Sequence, residues 1–242
     1  MGEELMAELF PKVFVDFDGT MTMRDVGNAF FKRFGNEAES NKAVAKWKSG
    51  EISSRQLTLL EASFVNVTKP DALEYIRTFE IDRSFNDFLS FCRQNKIEVT
   101  ILSDGLDFYI EELLARNGIT GVPSYSNHIN FDHGKIEVEF PFESDCEKCG
   151  NCKGAHILTK SGADDLIVHV GNGYSDRCGV QYADVVFAKD DLLKYCEENN
   201  VTYFRFNDFS DVLTKFRKIV EAGHYRKRHR AELRRREAYL GE

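Results

Sequence analysis

Lys12-Val13-Phe14-Val15-Asp16-Phe17-Asp18-Gly19-Thr20-Met21-Thr22 is the stretch on which the fold turns. Val13 to Val15 is a short apolar run of the kind that forms a strand buried on both faces of a parallel sheet. It ends in two carboxylates one residue apart. Side chains alternate along a strand, so Asp16 and Asp18 leave its end on one side, with Phe17 opposite. Gly19 permits a turn, and Thr20 can hydrogen-bond within it. In open α/β sheets ligands bind in the crevice beyond the carboxyl ends of the strands. Two acids there repel unless a cation sits between them or one keeps a proton. A divalent metal with a phosphate group meets both conditions; a plain acidic loop is the alternative.

The chain of 242 residues allows one large α/β domain, or a core with a smaller insert. Hydrophobic content of 42% and charged content of 30% are those of a globular protein. No stretch has the apolar length of a membrane span, and residues 1–10 lack the basic start and apolar core of a signal peptide. A cytoplasmic location and no membrane partner are expected. The net charge of −8 argues against a nucleic-acid-binding body. Six cysteines without a secretion signal read as thiols or metal ligands, not disulfides. Cys92, Cys178 and Cys196 sit singly in helix-like stretches and read as small buried hydrophobes.

Residues 23–82 read as helical throughout. Val26, Phe30, Phe31 and Phe34 recur at helical spacing, Gly35 and Gly50 stop two helices, and Ser53 with Gln56 forms a capping box. Pro70 opens a further helix. Four helices exceed a simple crossover, so this segment reads as a small helical cap over the crevice, with Phe30, Phe31 and Trp47 as its core. A second core strand, Ile97 to Leu102, ends in Ser103-Asp104-Gly105, and the next helix is expected from Leu106 to Asn117. Ser103 there is either an N-cap or part of a phosphate cradle with the backbone N–H groups of Asp104 and Gly105. Residues 126–142 read as a β-hairpin turning at Asp132-His133-Gly134-Lys135, with His128 and His133 on its surface.

Cys146-x-x-Cys149-x-x-Cys152 has a metal-like spacing, but a complete zinc site wants four ligands. His156 or an acid could supply the fourth; a loop of free thiols is the other reading. Lys153 then opens a helix and carries an ammonium group to the carboxylate-lined crevice. Leu166 to Val170 is another buried strand, with His169 packed in it, and it runs into Gly171-Asn172-Gly173-Tyr174-Ser175-Asp176. A strand over 184–188, a helix over 190–199, a last strand over 202–206 and a helix from Asp208 to about Gly223 complete the core. Residues 224–242 carry seven Lys or Arg against three Glu, which suits a solvated helix with pairs such as Arg228 and Glu232.

Asp16-Phe17-Asp18-Gly19-Thr20, Ser103, Lys153 and the Asn172…Asp176 loop, in this order past three apolar strands, resemble the four motifs of the haloacid-dehalogenase-like phosphatases. The resemblance spans nearly the whole chain. It implies a Rossmann-like, doubly wound parallel α/β sheet over residues 1–22 and 83–223, a helical cap over 23–82, a hairpin over 126–142 and a basic tail over 224–242. Among these phosphatases the cap position is similar to the phosphoserine phosphatase-like branch. Ser103-Asp104-Gly105-Leu106-Asp107-Phe108, the Asn127-His128 hairpin and the Cys cluster leading into Lys153 further resemble the 2-hydroxy-3-keto-5-methylthiopentenyl-1-phosphate phosphatases of methionine salvage.

The resemblance implies Asp16 as nucleophile through an aspartyl-phosphate, Asp18 as acid and then base, and Ser103 and Lys153 as the phosphate cradle. It implies magnesium held by Asp16, Asp18 (through its carbonyl) and Asn172, with Asp176, in the same loop, completing the metal site. Asn172 stands where the family usually has an acid. An amide oxygen can ligate magnesium with no charge of its own, so either this branch tolerates it, or it was exchanged to trap a complex, or activity is reduced. Asp25 sits where phosphoserine phosphatases carry an acid for the substrate amine, and Arg24 or Arg55 could meet a carboxylate. The expected partner is a small phosphorylated metabolite; monomer and homodimer stay open. A different class, a catalytically impaired binding protein of this fold, is favoured by Asn172 alone, and phosphoryl transfer to an acceptor other than water uses the same residues.

Overall fold

The computed structural model describes residues 10–240; the expectations for residues 1–9 and 241–242 lie outside them. Seven strands form one sheet in the order β4-β3-β2-β1-β5-β6-β7. They are β1 (Phe10–Val15), β2 (Glu98–Leu106), β3 (Ser124–Asp132), β4 (Lys135–Glu139), β5 (Asp165–Gly171), β6 (Val185–Ala188) and β7 (Phe204–Arg205). Neighbours are parallel except the hairpin β3–β4. The sheet is thus the doubly wound α/β architecture. Its middle strand explains the uninterrupted apolar run. Val13 and Val15 enter the core on one face, and Phe14 enters a second core on the other, with Leu102, Ile167 and Val186. Both faces are dry, so no polar residue interrupts the strand. The strand order reverses at β1, between β2 and β5, which opens a crevice at its carboxyl end.

Between β1 and β2 run α1 (Val26–Phe34), α2 (Glu37–Ser49), α3 (Ser54–Ser63) and α4 (Lys69–Ile76). Their ends follow the local chemistry: Gly50 closes α2 in the left-handed conformation, and Ser53 and Gln56 form the full capping box of α3. The chain enters and leaves these helices side by side, through a bridge from Thr22 to Ile81 and a hydrogen bond from Asp82 N to Met21 O (2.8 Å). Lys48 of α2 reaches Asp191 at 2.7 Å, and Trp47 stacks on Tyr174 with ring centroids 4.8 Å apart. The helices therefore rest on the crevice and close it from above.

The remaining helices are α5 (Phe85–Gln94), α6 (Asp107–Arg116), α7 (Lys153–Lys160), α8 (Arg177–Val180), α9 (Asp190–Glu198), α10 (Phe209–Ala222) and α11 (His229–Leu240). Two local expectations are corrected. The second core strand does not end at Leu102 but continues through Ser103-Asp104-Gly105 to Leu106, with a register break against β3 between Leu102 and Leu106. Ser103 is therefore not the N-cap of α6, which starts at Asp107. The tail is not a solvated helix. Arg235 is buried, donating to Tyr182 O and pairing with Asp184 at 3.0 Å, and Arg228 donates to Val180 O and Ala183 O at 3.0 and 2.8 Å. No helix among the described residues is long and apolar enough to cross a membrane.

Candidate active site

Asp16 directly follows β1 and Asp18 sits in the turn Phe17–Met21 beyond it; both line one cavity, and each meets a different set of partners. Asp16 Oδ1 accepts from the ammonium of Lys153 at 2.5 Å. Lys153, fully buried, also donates to Asp176 Oδ1 at 2.6 Å and to Ser175 Oγ at 3.1 Å. One cation thus sits between two buried carboxylates. Burial would strip Lys153 of its proton, but Asp16 and Asp176 hold its pKa above the ordinary value. Burial also opposes a charged Asp176, yet Lys153 and His169 keep its carboxyl well below the usual range. His169 Nε2 lies 3.0 Å from Asp176 Oδ1, and Asp176 Oδ2 accepts from Asn172 N and Gly173 N at 3.0 and 2.8 Å. Asp16 is left less compensated: burial and the Asp176 charge push it up to about 7 against the pull of Lys153.

Asp18 is held differently. Its Oδ1 accepts from Val26 N and Gly27 N, both at 3.1 Å, at the N-terminus of α1. Its Oδ2 accepts from Tyr109 Oη at 2.7 Å and Ser103 Oγ at 3.2 Å. Burial raises its pKa, and these four donors pull the other way. Tyr109 is a site residue that sequence reading missed. It lies on α6, far along the chain, with no local pattern that marks it. The glycine at 105 is the one indirect signal: a Cβ there would lie 1.7 Å from Tyr109 Oη and 2.6 Å from Asp18 Oδ2. Only a bare backbone lets Tyr109 reach Asp18.

The side chain of Asp104 is committed within the protein, apart from the backbone N–H expected of it in a phosphate cradle. Its carboxylate accepts from Ser54 Oγ (2.5 Å) and Asn151 N (2.7 Å), and Asn127 Nδ2 donates to its carbonyl at 2.7 Å. It ties the strand end to α3 and to the loop before α7.

Above these groups lies a cavity of about 270 Å³. Its floor includes Asp16, Asp18, Ser103 and Gly105, and Asn172 and Tyr174 form one side. Its roof carries an apolar strip, Phe31, Val44, Trp47 and Leu57, among the polar residues Asn28, Lys48, Ser54 and Thr58. Phe31 and Trp47 are therefore cavity wall, and only Phe30 is wholly core. Two acids face the roof. Asp25 caps α1 by accepting from Asn28 N at 2.8 Å, and crowding by protein and the Asp18 charge push it up to about 6. Glu61, also missed from sequence, is buried on α3 beside Ser40 Oγ and is raised to about 7, chiefly by burial. Arg24 and Arg55 are not among the lining residues; they stack on Phe79 and Phe140 at 4.7 and 4.6 Å.

The donor set fits a hard divalent cation at one end of this cavity. Asp16 and Asn172 both line it, and the Asn172 amide lies so close to Gly19 that a Cβ there would come within 2.4 Å of Nδ2. The two loops thus meet beside the place where two buried carboxylates share a single ammonium, and the Asp16 carboxylate and the Asn172 amide each carry an oxygen that a hard cation takes. Asp176 is not available as a ligand, since both of its oxygens are engaged by Lys153, His169 and backbone N–H groups. The carboxylate of Asp18 is likewise occupied.

Residues 13–180 match the haloacid dehalogenase-like hydrolase family, and the chain belongs to it. Within the family it is a phosphatase. Relatives named 2-hydroxy-3-keto-5-methylthiopentenyl-1-phosphate phosphatase are 32% identical over 216 residues in Bacillus mycoides and 33% identical over 217 residues in Bacillus cereus. Each match covers 87% of this chain and 97% of the relative. In fold, the chain is similar to a phospho-aspartyl intermediate analogue of phosphoserine phosphatase, with a TM-score of 0.67 and 18% identity, over 86% of this chain and 99% of that one. A substrate-bound phosphoserine phosphatase gives 0.66, again at 18% identity and with the same coverage.

Proposed function

We propose that the protein hydrolyses a small phosphomonoester through an aspartyl-phosphate on Asp16, and that its substrate carries an apolar tail of the methylthiopentenyl kind. The observation that supports the reaction is the row Asp16–Lys153–Asp176 beside Asp18 on the cavity floor. Lys153 orients Asp16 and pulls it toward the ionised form against burial, while Asp176 and His169 fix Lys153 from behind, so that Asp16 can attack phosphorus. Asp18 protonates the leaving oxygen and then takes a proton from the water that cleaves the intermediate. The raised pKa of Asp18 suits the first task, and the donors from Tyr109, Ser103 and α1 suit the second. Magnesium, held by Asp16 and Asn172, would supply charge neutralisation at the phosphoryl oxygens. The four helices act as a cap that excludes water.

For the substrate, the roof is the guide. A phosphoserine carboxylate would find no arginine in the cavity lining, and Lys48 is already paired with Asp191. Phe31, Val44, Trp47 and Leu57 offer a thioether tail an apolar wall. The test is phosphate release with magnesium titrated in. Activity should vanish in Asp16→Asn, and kcat/KM for 2-hydroxy-3-keto-5-methylthiopentenyl-1-phosphate should exceed that for phosphoserine by at least about 100-fold. The reverse ranking would favour a phosphoserine phosphatase. No turnover at millimolar magnesium, with Asn172→Asp equally silent, would favour a binding protein.

A further inference from the structure

The loop that delivers Lys153 has no account in the chemistry above. Residues 140–152, between β4 and α7, form neither helix nor strand. Loops of this length are uncommon in compact domains unless something orders them. Part of the order is hydrogen bonding. Lys148 O accepts from Ser54 N at 2.9 Å, Gly150 N donates to Ser54 Oγ at 2.7 Å, and Asn151 Nδ2 donates to Ser103 O and Tyr125 O at 2.8 and 2.9 Å. The other part is sulfur. Cys146, Cys149 and Cys152 meet Cys178, on α8, and all four Sγ atoms lie within 4.8 Å of one another. Among the described residues no other group of three or more His, Cys, Asp or Glu side chains converges in this way.

We propose that these four cysteines bind one zinc ion, which clamps the loop before α7 to the helix after the Asn172…Asp176 turn. The geometry is that of a tetrahedral thiolate site. Thiolates about 2.3 Å from zinc stand about 3.8 Å apart at the corners of a tetrahedron. Cys149 and Cys146 lie 3.6 and 4.0 Å from Cys178. All four are free thiols. Four hydrophobes would be buried, but three of these cysteines are only partly covered, which leaves an ion an entry path. His156, the fourth ligand anticipated from spacing, is committed elsewhere. Its Nε2 lies 2.5 Å from Asn151 Oδ1, and its ring packs on Tyr125 and Phe142, each at 4.9 Å. Cys178 takes its place.

The position of the cluster gives the site its consequence. Cys152 is the N-cap of α7, one residue before Lys153, and Cys178 stands two residues after Asp176. The tetrad therefore fixes from behind the same two loops that Lys153 and Asp176 join across the crevice. Gly154 allows this approach, since a Cβ there would meet Cys178 O at 3.1 Å and the Tyr182 ring at 3.0 Å. The helix N-terminus at Cys152 favours a thiolate. Zinc here is structural, with four protein ligands and no open position.

The test uses the full-length chain, freed of metal under reducing conditions and titrated with Co²⁺ alone. One cobalt per chain should bind with the thiolate charge-transfer band and the intense visible bands of a tetrahedral centre, and zinc should displace it. Cys178→Ser should weaken binding by about 100-fold or more, whereas Cys92→Ala, in the core away from the cluster, should leave it unchanged. Should Cys178→Ser not fold, the wild-type spectrum still decides. Absence of that spectrum, a cobalt affinity unaffected in Cys178→Ser, or a mass two or four units low from disulfides in the untreated protein would each overturn the proposal.

Discussion

Tyr109 shows how a single side chain outside any motif enters the chemistry. Its hydroxyl is one of four donors on Asp18, and it stabilises the ionised carboxylate. Removing it should raise the pKa of Asp18. In Tyr109→Phe, which keeps the ring, kcat should fall by about tenfold, and the alkaline limb of the pH–rate profile should move to higher pH. A loss of kcat with an unmoved limb would assign Tyr109 to packing alone. Asp16, Asp18 and Lys153 were legible in the sequence because their roles follow from a strand end or a helix start, both of which are local. Tyr109, His169 and Cys178 were not. Each reads as an ordinary core residue until the fold sets it beside a partner chosen by geometry, His169 against Asp176 and Cys178 against three distant sulfurs.

At the scale of elements, capping residues and glycines made helix ends readable: α1 and α2 stop at Gly35 and Gly50, and α3 starts at the Ser53 box. The exception is β2. Its end was obscured because Ser103-Asp104-Gly105 looks like a turn, whereas the strand continues through a register break there and pairs with β3 again at Leu106. Glu61 on α3 supplies a test of the cap helices. Burial raises its pKa from an ordinary 4.5 to about 7 in the folded state. Between those values the native protein binds more protons than the unfolded chain, so stability falls as pH rises from 4.5 through about 7 and then levels off. Glu61→Gln should remove that share of the slope. Near pH 8 it should be more stable than wild type by about 1–3 kcal/mol, read from urea midpoints, with no gain near pH 4. An unchanged slope would mean that Glu61 ionises freely.

Across the whole molecule, the central sheet and its crevice follow from a few apolar strands that each end in polar residues, and that much was legible. The docking of the last helix was not, and the reason is physical. Its inward face repeats every four residues as Ala231, Arg235 and Tyr239, a stripe too polar to stand out by hydrophobicity. Ala231 and Arg235 are nonetheless buried, and Tyr239 Oη donates to Leu158 O and Ser161 O at 3.1 and 2.9 Å, on the far end of α7 from Lys153. Arg235 pairs with Asp184, whose other oxygen accepts from Ile167 N at 3.0 Å in the middle of β5. The tail thus braces β5 and the entry to β6 from the end opposite the Asn172…Asp176 loop. Arg235→Ala would leave Asp184 buried and unpaired, which costs about 3–5 kcal/mol when a buried pair is broken from one side. The denaturation midpoint should fall accordingly, while Arg236→Ala, one residue along on the exposed face, should change it by less than about 0.5 kcal/mol. If both variants matched wild type, the tail would be the solvated helix that its charge pattern alone suggests. If Arg235→Ala also lost the Asp184→Asn effect, so that the double variant cost no more than either single one, the pair itself would carry the docking.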